Sequence, residues 1–419
     1  MFELCMFDLD DTLVRTEDLR AVREACKNNV DPACLKAVRD GLAGQASRHI
    51  YSLDLLKQIR AKHPELKLGI FTRSPRSYTD TVLKWAYPGF AWDIVVAHED
   101  VKSTKPNGEG LRFAMDKLDI DDLDRVVMVG DSDVDVRAAY NCGCLVALDK
   151  TAWPFKWPPD HWNAIGHLPD AVIDSPEKIL DVLDEPDRFL PELERLLAEA
   201  GSPAAGRRFD RVNHFVPKDL GVEKPYPIYM CGRSFANKKS LSERRKWHVL
   251  TESIENHKDA DDFPNEWIDA IRRFIAGEYV SMYFGPPKKV LVTVVPHRPG
   301  RKARLEKLLE QLQKSVAAKP VAKCEVSVAP DLLAYKDGVK SQHGDLLNQH
   351  DRFVNVRDHL YVKTPKLIQP ELNILVLDDV CTTGASLIYA TKYLRDAGAA
   401  DVKCLAVAKN IGDVLAWNN

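Results

Sequence analysis

The feature that most constrains the fold of this chain is the alternation of short apolar runs with amphipathic stretches along almost its whole length. Runs such as LKLGIFT and RVVMVGD end in polar or turn residues, and helical patterns such as RLEKLLEQLQKSV lie between them. Short apolar runs bounded by turn signals are typical of strands buried on both faces. Because strands that alternate with helices favour parallel sheets, the sequence predicts the α/β class.

The chain has 419 residues, which is enough for two domains that each bury a core. The clearest break is AEAGSPAAGRR, residues 198–208, where small residues follow a charged helical pattern. We therefore predict two domains, each a mainly parallel sheet flanked by helices. The predicted division is a first domain over 1–185, a helix and linker over 186–206, a hood or adaptor region over 207–284 and a second domain over 285–419.

The composition limits which cellular compartment and which kinds of partner we expect for this chain. Residues 1–200 carry a net charge of −11 and the remainder +8, so the second half suits phosphate-rich ligands, nucleic acid included. No apolar run approaches the roughly 18 residues of a membrane span, and the N-terminus lacks a signal-peptide pattern. The nine cysteines are scattered, with C-G-C as the closest pair. We expect a cytoplasmic protein with reduced thiols and no membrane partner; the sequence assigns no oligomeric state.

Polar side chains of the first domain gather where its predicted strands end, and in an open parallel sheet ligands bind at that edge. Two carboxylates separated by one residue in an extended segment point the same way, so one can attack a phosphorus while the other exchanges a proton with the leaving oxygen. The crowded carboxylates and a bound phosphate need a hard cation with oxygen ligands, and Mg²⁺ fits best. The residues are Asp8, Asp10, Thr72, Lys105, Asp131 and Asp135.

Four motifs carry a family resemblance. FDLDDTL, FTRS, KPNGEGL and VGDSDVDV, in that order over residues 1–185, resemble those of haloacid-dehalogenase-type phosphatases. The resemblance implies a Rossmann-like fold with a small helical cap, Asp8 as the nucleophile that forms an aspartyl-phosphate, and Asp10 as general acid and base. The remaining implied roles are phosphate binding by Thr72, Arg73 and Lys105, Mg²⁺ binding by Asp8, Asp10 and Asp131, and support of Lys105 by Asp135. One departure is Asp11, where many relatives have glycine.

Only a small helical insertion, roughly residues 15 to 50, fits between Asp10 and Thr72. A small cap predicts an open mouth that admits a bulky phosphate ester or a nucleic-acid end. The aromatic run WPFKWPPDHW, residues 153–162, either lines that mouth or forms a proline-stiffened loop packed on the domain.

A second phosphate-binding pattern is ILVLDDVCTTGASL, residues 374–387. The carboxylates of Asp378 and Asp379 are acceptors that match the adjacent hydroxyl donors of a ribose. The following CTTGAS run supplies backbone N–H groups and hydroxyls, and the next helix directs its positive end to the same place. A pentose 5-phosphate fits the whole run.

The region from 285 to 411 resembles type I phosphoribosyltransferases of the ComF-like subfamily through VVPHRPGR, SQHGDLLNQHDRFVNVRDHLYV, VLDDVCTTGAS and LAVAKN. The resemblance implies a type I phosphoribosyltransferase fold that binds phosphoribosyl pyrophosphate (PRPP). The implied ligands are Asp378 and Asp379 on the ribose hydroxyls, and Thr382, Thr383, Gly384, Ala385 and Ser386 on the 5-phosphate. RPGRKARLE replaces the expected R-G-F-N-Q run, and the subfamily's zinc-binding cysteines are absent. Candidates for the pyrophosphate are Arg298, Arg301, Lys340, Gln342, His343 and Arg352.

Three functions remain open at this point. The chain is a bifunctional enzyme of nucleotide or nucleoside metabolism, in which a phosphoribosyltransferase and a Mg²⁺-dependent phosphatase act in sequence on PRPP and a phosphorylated small molecule. Alternatively it is a phosphatase that processes nucleic-acid ends, which the basic second half favours. In the third alternative the second domain senses PRPP or a nucleotide without transferase activity, which the missing R-G-F-N-Q run favours.

Overall fold

The structure, a computed structural model, describes residues 1–26, 31–45, 47–198, 206–221, 224–279, 286–340 and 347–416. The chain divides into two compact units. Unit 1 comprises Met1–Leu190, Phe235–Trp247 and Gly412–Asn419, and unit 2 comprises Pro191–Ser234 and His248–Ile411. Two segments that follow the predicted linker in sequence therefore belong to the first unit. Both units contain a mainly parallel sheet with helices, so the predicted α/β class is confirmed.

Unit 1 is built on a six-stranded parallel sheet in the order β3-β2-β1-β4-β5-β6. Its central strands are buried along their whole length, as the continuous apolar runs predict. Parallel pairing brings the carboxyl ends of β1, β2 and β4 to one edge. The strands are β1 (Leu4–Phe7), β2 (Lys67–Phe71), β3 (Ile94–Val96), β4 (Val126–Gly130), β5 (Leu145–Asp149) and β6 (Ala171–Ile173).

Unit 2 contains a sheet in which β11, β10, β14, β15 and β8 run parallel in that order and β7 pairs antiparallel with β8. β9 also pairs with β15, and β12 and β13 form a separate antiparallel pair. The strands are β7 (Asp210–His214), β8 (Tyr226–Met230), β9 (Arg233–Phe235), β10 (Lys288–Val294), β11 (Cys324–Val328), β12 (Leu333–Tyr335), β13 (Leu360–Val362), β14 (Asn373–Cys381) and β15 (Asp401–Ile411).

The helices connect these strands as the sequence pattern predicts. No helix in the described ranges is long and apolar enough to cross a membrane. The helices α1–α8 and α10 lie in unit 1, and the others lie in unit 2. In chain order they are α1 (Arg20–Ala25), α2 (Pro32–Ala43), α3 (Leu53–Lys62), α4 (Arg76–Ala86), α5 (Glu109–Lys117), α6 (Asp133–Cys142), α7 (Pro159–Gly166), α8 (Ile179–Asp184), α9 (Glu192–Leu197), α10 (Ser242–Arg245), α11 (Val249–Asn256), α12 (Asn265–Glu278), α13 (Arg304–Ala318), α14 (Gln349–His359) and α15 (Ala385–Asp396).

The helices α1 and α2 form the small insertion between β1 and β2. The buried guanidinium of Arg48 fastens it, donating to the carbonyls of Leu42 and Gly41 at 3.1 and 2.9 Å. A disulfide joins Cys26, just after α1, to Cys34 in α2. This disulfide contradicts the expectation that all thiols are reduced. The spacing of the two cysteines matches no recognisable disulfide pattern, so the pairing could not be predicted from the sequence. The seven other cysteines are free and buried.

The segment Phe235–Trp247, which we call the returning segment, packs on the last turn of α6 and the strand that follows it. Arg244 is buried, donates to the carbonyl of Cys144 at 2.9 Å and pairs with Asp170. Its guanidinium lies 4.0 Å from the ring centroid of Trp247. Trp247 in turn donates from Nε1 to the carbonyl of Gly143 at 3.1 Å. A buried, paired arginine stacked on an indole makes this segment an integral part of the first unit.

The C-terminal tail closes the same face of unit 1. Arg137 on α6 donates to the carbonyls of Val414 and Ala416 at 2.7 and 2.9 Å. The tail also meets the returning segment, because the hydroxyl of Ser240 donates to Asp413 at 2.6 Å. Unit 1 is therefore assembled from three separate stretches of sequence.

Candidate active site

A buried lysine joins two carboxylates at the carboxyl edge of the first sheet. Lys105 Nζ lies 2.5 Å from Asp8 Oδ1 and 2.7 Å from Asp135 Oδ1. Burial alone would lower the pKa of Lys105, but the two carboxylates outweigh burial and raise it. The ammonium also lies 5.1 Å from the ring centroid of Phe71, at the end of β2. Lys105 is therefore a fixed positive charge beside the first aspartate.

Three carboxylates form one acidic group. Oxygen atoms of Asp8, Asp131 and Asp135 lie within 4.8 Å of one another. Burial raises the pKa of Asp8 to about 7, with Lys105 opposing the shift and Asp135 adding to it. Burial, then the charges of Asp135 and Asp8, raise the pKa of Asp131 well above its usual value. A cation placed among these oxygens would remove that penalty, so the donor set fits a hard divalent ion.

The position of Asp135 depends on the turn between β4 and α6. Ser132 caps α6, and its backbone N–H and hydroxyl both donate to Asp135 Oδ2. A Cβ at Gly130 would lie 2.3 Å from Asp135 Cγ, so only glycine lets the carboxylate approach the strand so closely. This explains why a glycine stands between the apolar strand and its aspartates.

The carboxylate of Asp10 does not join the acidic group but is held by a network of its own. Its Oδ1 accepts from the hydroxyls of Thr16 at 2.6 Å and Tyr78 at 2.9 Å. Its Oδ2 accepts from the hydroxyl of Ser74 and lies 3.0 Å from the Arg23 guanidinium. Arg23 belongs to α1, so the small insertion contributes a cation next to Asp10. These contacts fix the orientation of the carboxylate, which a group exchanging protons with a substrate requires.

The predicted phosphate ligands Thr72 and Arg73 follow β2 directly and precede Ser74, which contacts Asp10. Thr72 is buried directly after the strand, and its hydroxyl accepts from the backbone N–H of Ser74 at 3.1 Å. That bond orients the hydroxyl and leaves its proton for another acceptor. Arg73, in contrast, is exposed.

Asp11, the departure from the family pattern, has a left-handed backbone with φ of 57°. Its carboxylate accepts from the backbone N–H of Thr16 at 2.9 Å, which compensates for a conformation that glycine adopts more readily. An aspartate is therefore compatible with the turn that follows Asp10.

In unit 2 the two adjacent aspartates lie near the carboxyl end of β14, beside an arginine. Burial raises the pKa of Asp378 to about 7, and the charges of Arg304 and Arg298 oppose that shift. Asp379 forms an ion pair with Arg304, at the start of α13. The two carboxylates are thus at the carboxyl edge of the parallel sheet, where the pattern predicts a ligand.

The loop after β14 turns directly into α15. Gly384 has φ of 77° and a Cβ there would lie 2.9 Å from Ile228 and 3.0 Å from His214, so conformation and space both require glycine. The backbone N–H of Ala385 donates to the Thr383 hydroxyl at 3.4 Å. Thr382 is exposed, whereas the Ser386 hydroxyl is buried and accepts from Tyr335 at 3.3 Å. The residues from Thr382 to Ser386 therefore form the turn at the N-terminus of α15.

The candidates for pyrophosphate binding lie in different surroundings. Arg298 packs 5.8 Å from the ring centroid of Tyr335, and its Nε is buried without a hydrogen-bond partner in the described ranges. Arg301 and Lys340 are exposed, and Arg352 donates from Nε to the carbonyl of Leu347 at 3.0 Å. Asn355 fastens the backbone of Lys340 with two hydrogen bonds. Gln342 and His343 lie outside the described residues.

Sequence reasoning missed several residues that contact these sites. Ser74 and Tyr78 follow Thr72 on α4 or just before it, and Arg23 lies in the insertion, where no spacing links it to Asp10. Arg304 and Tyr335 surround the second site without any motif. The only available signal was FTRS, whose serine stands two residues after Thr72.

Comparison with known proteins relates part of the first unit to a family. Residues 45–148 match the family model described as haloacid dehalogenase-like hydrolase. This part of the first unit is therefore similar to hydrolases of that family. The first unit is 38% identical over 90 residues to pyrophosphatase PpaX of Bacillus velezensis, covering 22% of this chain and 40% of the relative. It is 33% identical over 125 residues to a phosphoglycolate phosphatase of Cupriavidus necator, covering 30% and 51%.

The chain spans about half the length of the curated relatives that it matches. Part of this chain is also similar to solved structures. One is a hydrolase from Pseudomonas syringae, which is 19% identical and has a TM-score of 0.33; the match covers 44% of this chain and 98% of that chain. Another is CbbY from Rhodobacter sphaeroides in complex with phosphate, with 19% identity, coverage of 44% and 100%, and a TM-score of 0.32. The family match ends at residue 148, so the phosphoribosyltransferase resemblance of unit 2 stays a prediction.

Proposed function

We propose that unit 1 is a Mg²⁺-dependent phosphomonoesterase that works through an aspartyl-phosphate on Asp8. The observation that carries this proposal is the contact of Lys105 with Asp8 and Asp135. The ammonium opposes the effect of burial and favours the ionised form of Asp8, next to a second, separately held carboxylate, Asp10. A nucleophile and a proton donor with different surroundings are what stepwise phosphoryl transfer needs.

In the first step an Asp8 oxygen bonds to phosphorus, the bond to the leaving oxygen breaks, and Asp10 supplies the proton that the leaving oxygen takes up. In the second step water attacks the phosphorus, Asp10 accepts its proton, and the Asp8 oxygen leaves with the electron pair of the broken bond. Lys105 and the oriented Thr72 hydroxyl stabilise the negative charge on the phosphoryl oxygens. The Arg73 side chain is exposed, so we place it at the rim of the site and not among the groups that stabilise the phosphoryl oxygens.

Asp8 and Asp131 would hold the Mg²⁺, and the Asp135 carboxylate beside them accepts from Lys105 and Ser132. The ion would supply positive charge for the phosphate and the crowded carboxylates. The Asp10 carboxylate is committed to hydroxyl and guanidinium partners, so these contacts do not support its predicted role as a metal ligand.

A trapping experiment tests the covalent step. The Asp10→Asn protein is mixed with p-nitrophenyl phosphate, whose leaving group needs no proton, and is quenched in acid for intact-protein mass spectrometry. We expect one phosphoryl group to remain on the protein, since the second step lacks its base, and the Asp8→Asn/Asp10→Asn protein to carry none. Phosphate release from the Asp8→Asn protein at the wild-type rate would refute the proposal.

For unit 2 we propose binding of PRPP, followed by transfer of its phosphoribosyl group to an acceptor: the ribose C1 bonds to the acceptor, and pyrophosphate leaves with the electron pair of the broken bond. The adjacent carboxylates of Asp378 and Asp379 and the helix N-terminus after Gly384 support it. Arg298 is the best-supported candidate for the pyrophosphate, because its buried Nε has no partner in the described ranges. The two units would then act in sequence inside the cytoplasm, the phosphatase removing the phosphate from the ribosylated product.

The sensor alternative has one supporting contact. The Arg304 guanidinium pairs with Asp379, so a sugar must displace it or share the carboxylate. Calorimetric titration with PRPP tests binding, and release of pyrophosphate in the presence of pooled bases tests transfer. The sensor function replaces the transferase function if three results are obtained together. PRPP binds to the wild type, it does not bind to the Asp379→Asn protein, and no pyrophosphate is released with any base. Phosphate release from oligonucleotide ends with a steep salt dependence would favour the nucleic-acid function instead.

The sequential scheme has its own test. The Asp8→Asn protein, supplied with PRPP and an acceptor that the wild type consumes, should accumulate a phosphorylated ribosyl product detected by mass spectrometry. Release of the same dephosphorylated product by wild type and variant would exclude sequential action.

A further inference from the structure

A cluster of four aromatic rings, with one stacked pair, lies between β5 and β6 in unit 1. The rings of Trp153 and His161 are parallel, with centroids 4.2 Å apart and planes 7° apart. Trp157 meets Trp153 edge-on at 4.9 Å and contacts Trp162 at 4.8 Å. Burial lowers the pKa of His161, so its imidazole is neutral at pH 7 and stacks as an ordinary aromatic ring. We call these four residues the aromatic platform.

The platform is attached to the proposed phosphoryl site. The indole N–H of Trp153 donates to the backbone carbonyl of Asp131 at 2.8 Å. The side chain of the same Asp131 belongs to the acidic group with Asp8. The platform follows β5, which pairs in parallel with β4, so it begins at the sheet edge that carries the aspartates. The platform therefore lies at the same edge of the sheet as the proposed phosphoryl site.

A loop that merely packs on the domain would bury its rings, and this one does not. Trp162 is 48% exposed at the end of the stack. His161 Nδ1 is buried without a hydrogen-bond partner in the described ranges, which is unfavourable for a polar ring atom. The exposed indole surface of Trp162 suits a flat aromatic ligand.

We propose that the aromatic platform binds a planar heteroaromatic leaving group, so that the preferred substrates of the phosphatase are nucleoside phosphates. This inference rests on the proposed phosphatase function. Stacking of a base on aromatic side chains contributes enough for a loss of about tenfold when one ring is removed. The platform thus acts on substrate selection, while Asp8 and Asp10 carry out the chemistry.

The test compares adenosine 5′-monophosphate with glycerol 3-phosphate, which has no aromatic ring, in the full chain. In Trp157→Ala and Trp162→Ala we expect the ratio of kcat/KM for the nucleotide to that for glycerol 3-phosphate to fall about tenfold, through KM. Phe155→Ala is the matched control, because Phe155 is fully exposed in the same loop and outside the stack. An unchanged ratio in both tryptophan variants overturns the proposal.

A binding measurement separates this proposal from the phosphatase function. Adenosine 5′-monophosphate and ribose 5-phosphate are titrated into the Asp8→Asn protein and its Trp162→Ala derivative, with binding followed by calorimetry. Weaker nucleotide binding in the derivative, with unaltered ribose 5-phosphate binding, supports the platform even if no ester is hydrolysed. Hydrolysis of glycerol 3-phosphate by the wild type without any effect of Trp162 on nucleotide binding leaves the phosphatase intact and refutes the platform.

Discussion

At the scale of single residues, the charge of Lys105 is the interaction on which the first site depends. Its ammonium is buried between Asp8 and Asp135, so removal leaves two buried carboxylates without their cation. We predict that Lys105→Met lowers kcat at least about 100-fold and lowers the free energy of unfolding by about 3–5 kcal/mol. Phosphate release and urea denaturation measure the two effects.

Lys102→Met is the matched control for this prediction, because Lys102 is an exposed lysine three residues earlier in the same loop. It should change stability by less than about 0.5 kcal/mol. Equal losses in the two variants would mean that general charge, not the buried contact, is what matters.

Asp378 gives a prediction with a defined pH window. Burial raises its pKa to about 7 in the folded protein from a usual value near 3.8, so the folded state binds more protons between those values. The free energy of unfolding therefore falls as pH rises from about 4 to about 7. Asp378→Asn should raise the melting temperature of unit 2 above pH 7, and the gain should shrink as the pH is lowered toward 4.

The same substitution should abolish ribose 5-phosphate binding, because the amide offers a donor where the sugar hydroxyls need an acceptor. Asp396→Asn, at the exposed end of α15, serves as the control and should alter neither property. A melting temperature of Asp378→Asn that equals wild type at every pH would show that the carboxylate is not strained by its surroundings.

At the scale of elements, the returning segment is fixed to unit 1 by one arginine. Arg244→Ala removes a buried guanidinium that pairs with Asp170 and stacks on Trp247. We predict a loss of about 3 kcal/mol in the stability of unit 1, and only partial recovery with Arg244→Lys, which cannot reproduce the planar stack. Hydrogen exchange at β5 and β6 reports the loss locally.

Lys246→Ala provides the comparison, since that lysine is two residues away on the same segment and exposed. Similar exchange rates at β5 and β6 in Arg244→Ala and Lys246→Ala would show that the segment adheres without its arginine.

The elements differ in how well the sequence predicted them. Strands such as β4 and β14 were predicted because their apolar runs and terminal aspartates are local properties of the chain. The contact of Arg244 with Asp170 joins residues 74 positions apart, and no local pattern encodes it. The hydroxyl of Tyr78 on α4 reaches Asp10 across 68 positions of sequence, and the Cys26–Cys34 pairing depends on how α1 meets α2. Motifs therefore locate the proposed catalytic groups, whereas the residues that hold these groups in position are determined by packing.

At the scale of the whole molecule, the assembly of unit 1 from three stretches predicts the behaviour of fragments. A fragment ending at Leu190 lacks the returning segment and the tail, so Asp170 and Arg137 lose the partners described above. We predict a lower melting temperature than for unit 1 in the full chain, with partial recovery when a peptide spanning 233–248 is added. Calorimetry measures both quantities, and a fragment as stable as the intact unit would contradict the prediction.

The same arrangement sets the order of events during synthesis. The last strand of the first sheet ends at Ile173, yet the tail that completes this unit begins only at Gly412. At roughly 5–20 residues per second, a ribosome needs on the order of tens of seconds to translate the intervening stretch. Unit 1 is consequently completed only after unit 2 has been translated, and its nascent form stays incompletely covered until the stretch that begins at Gly412 is made.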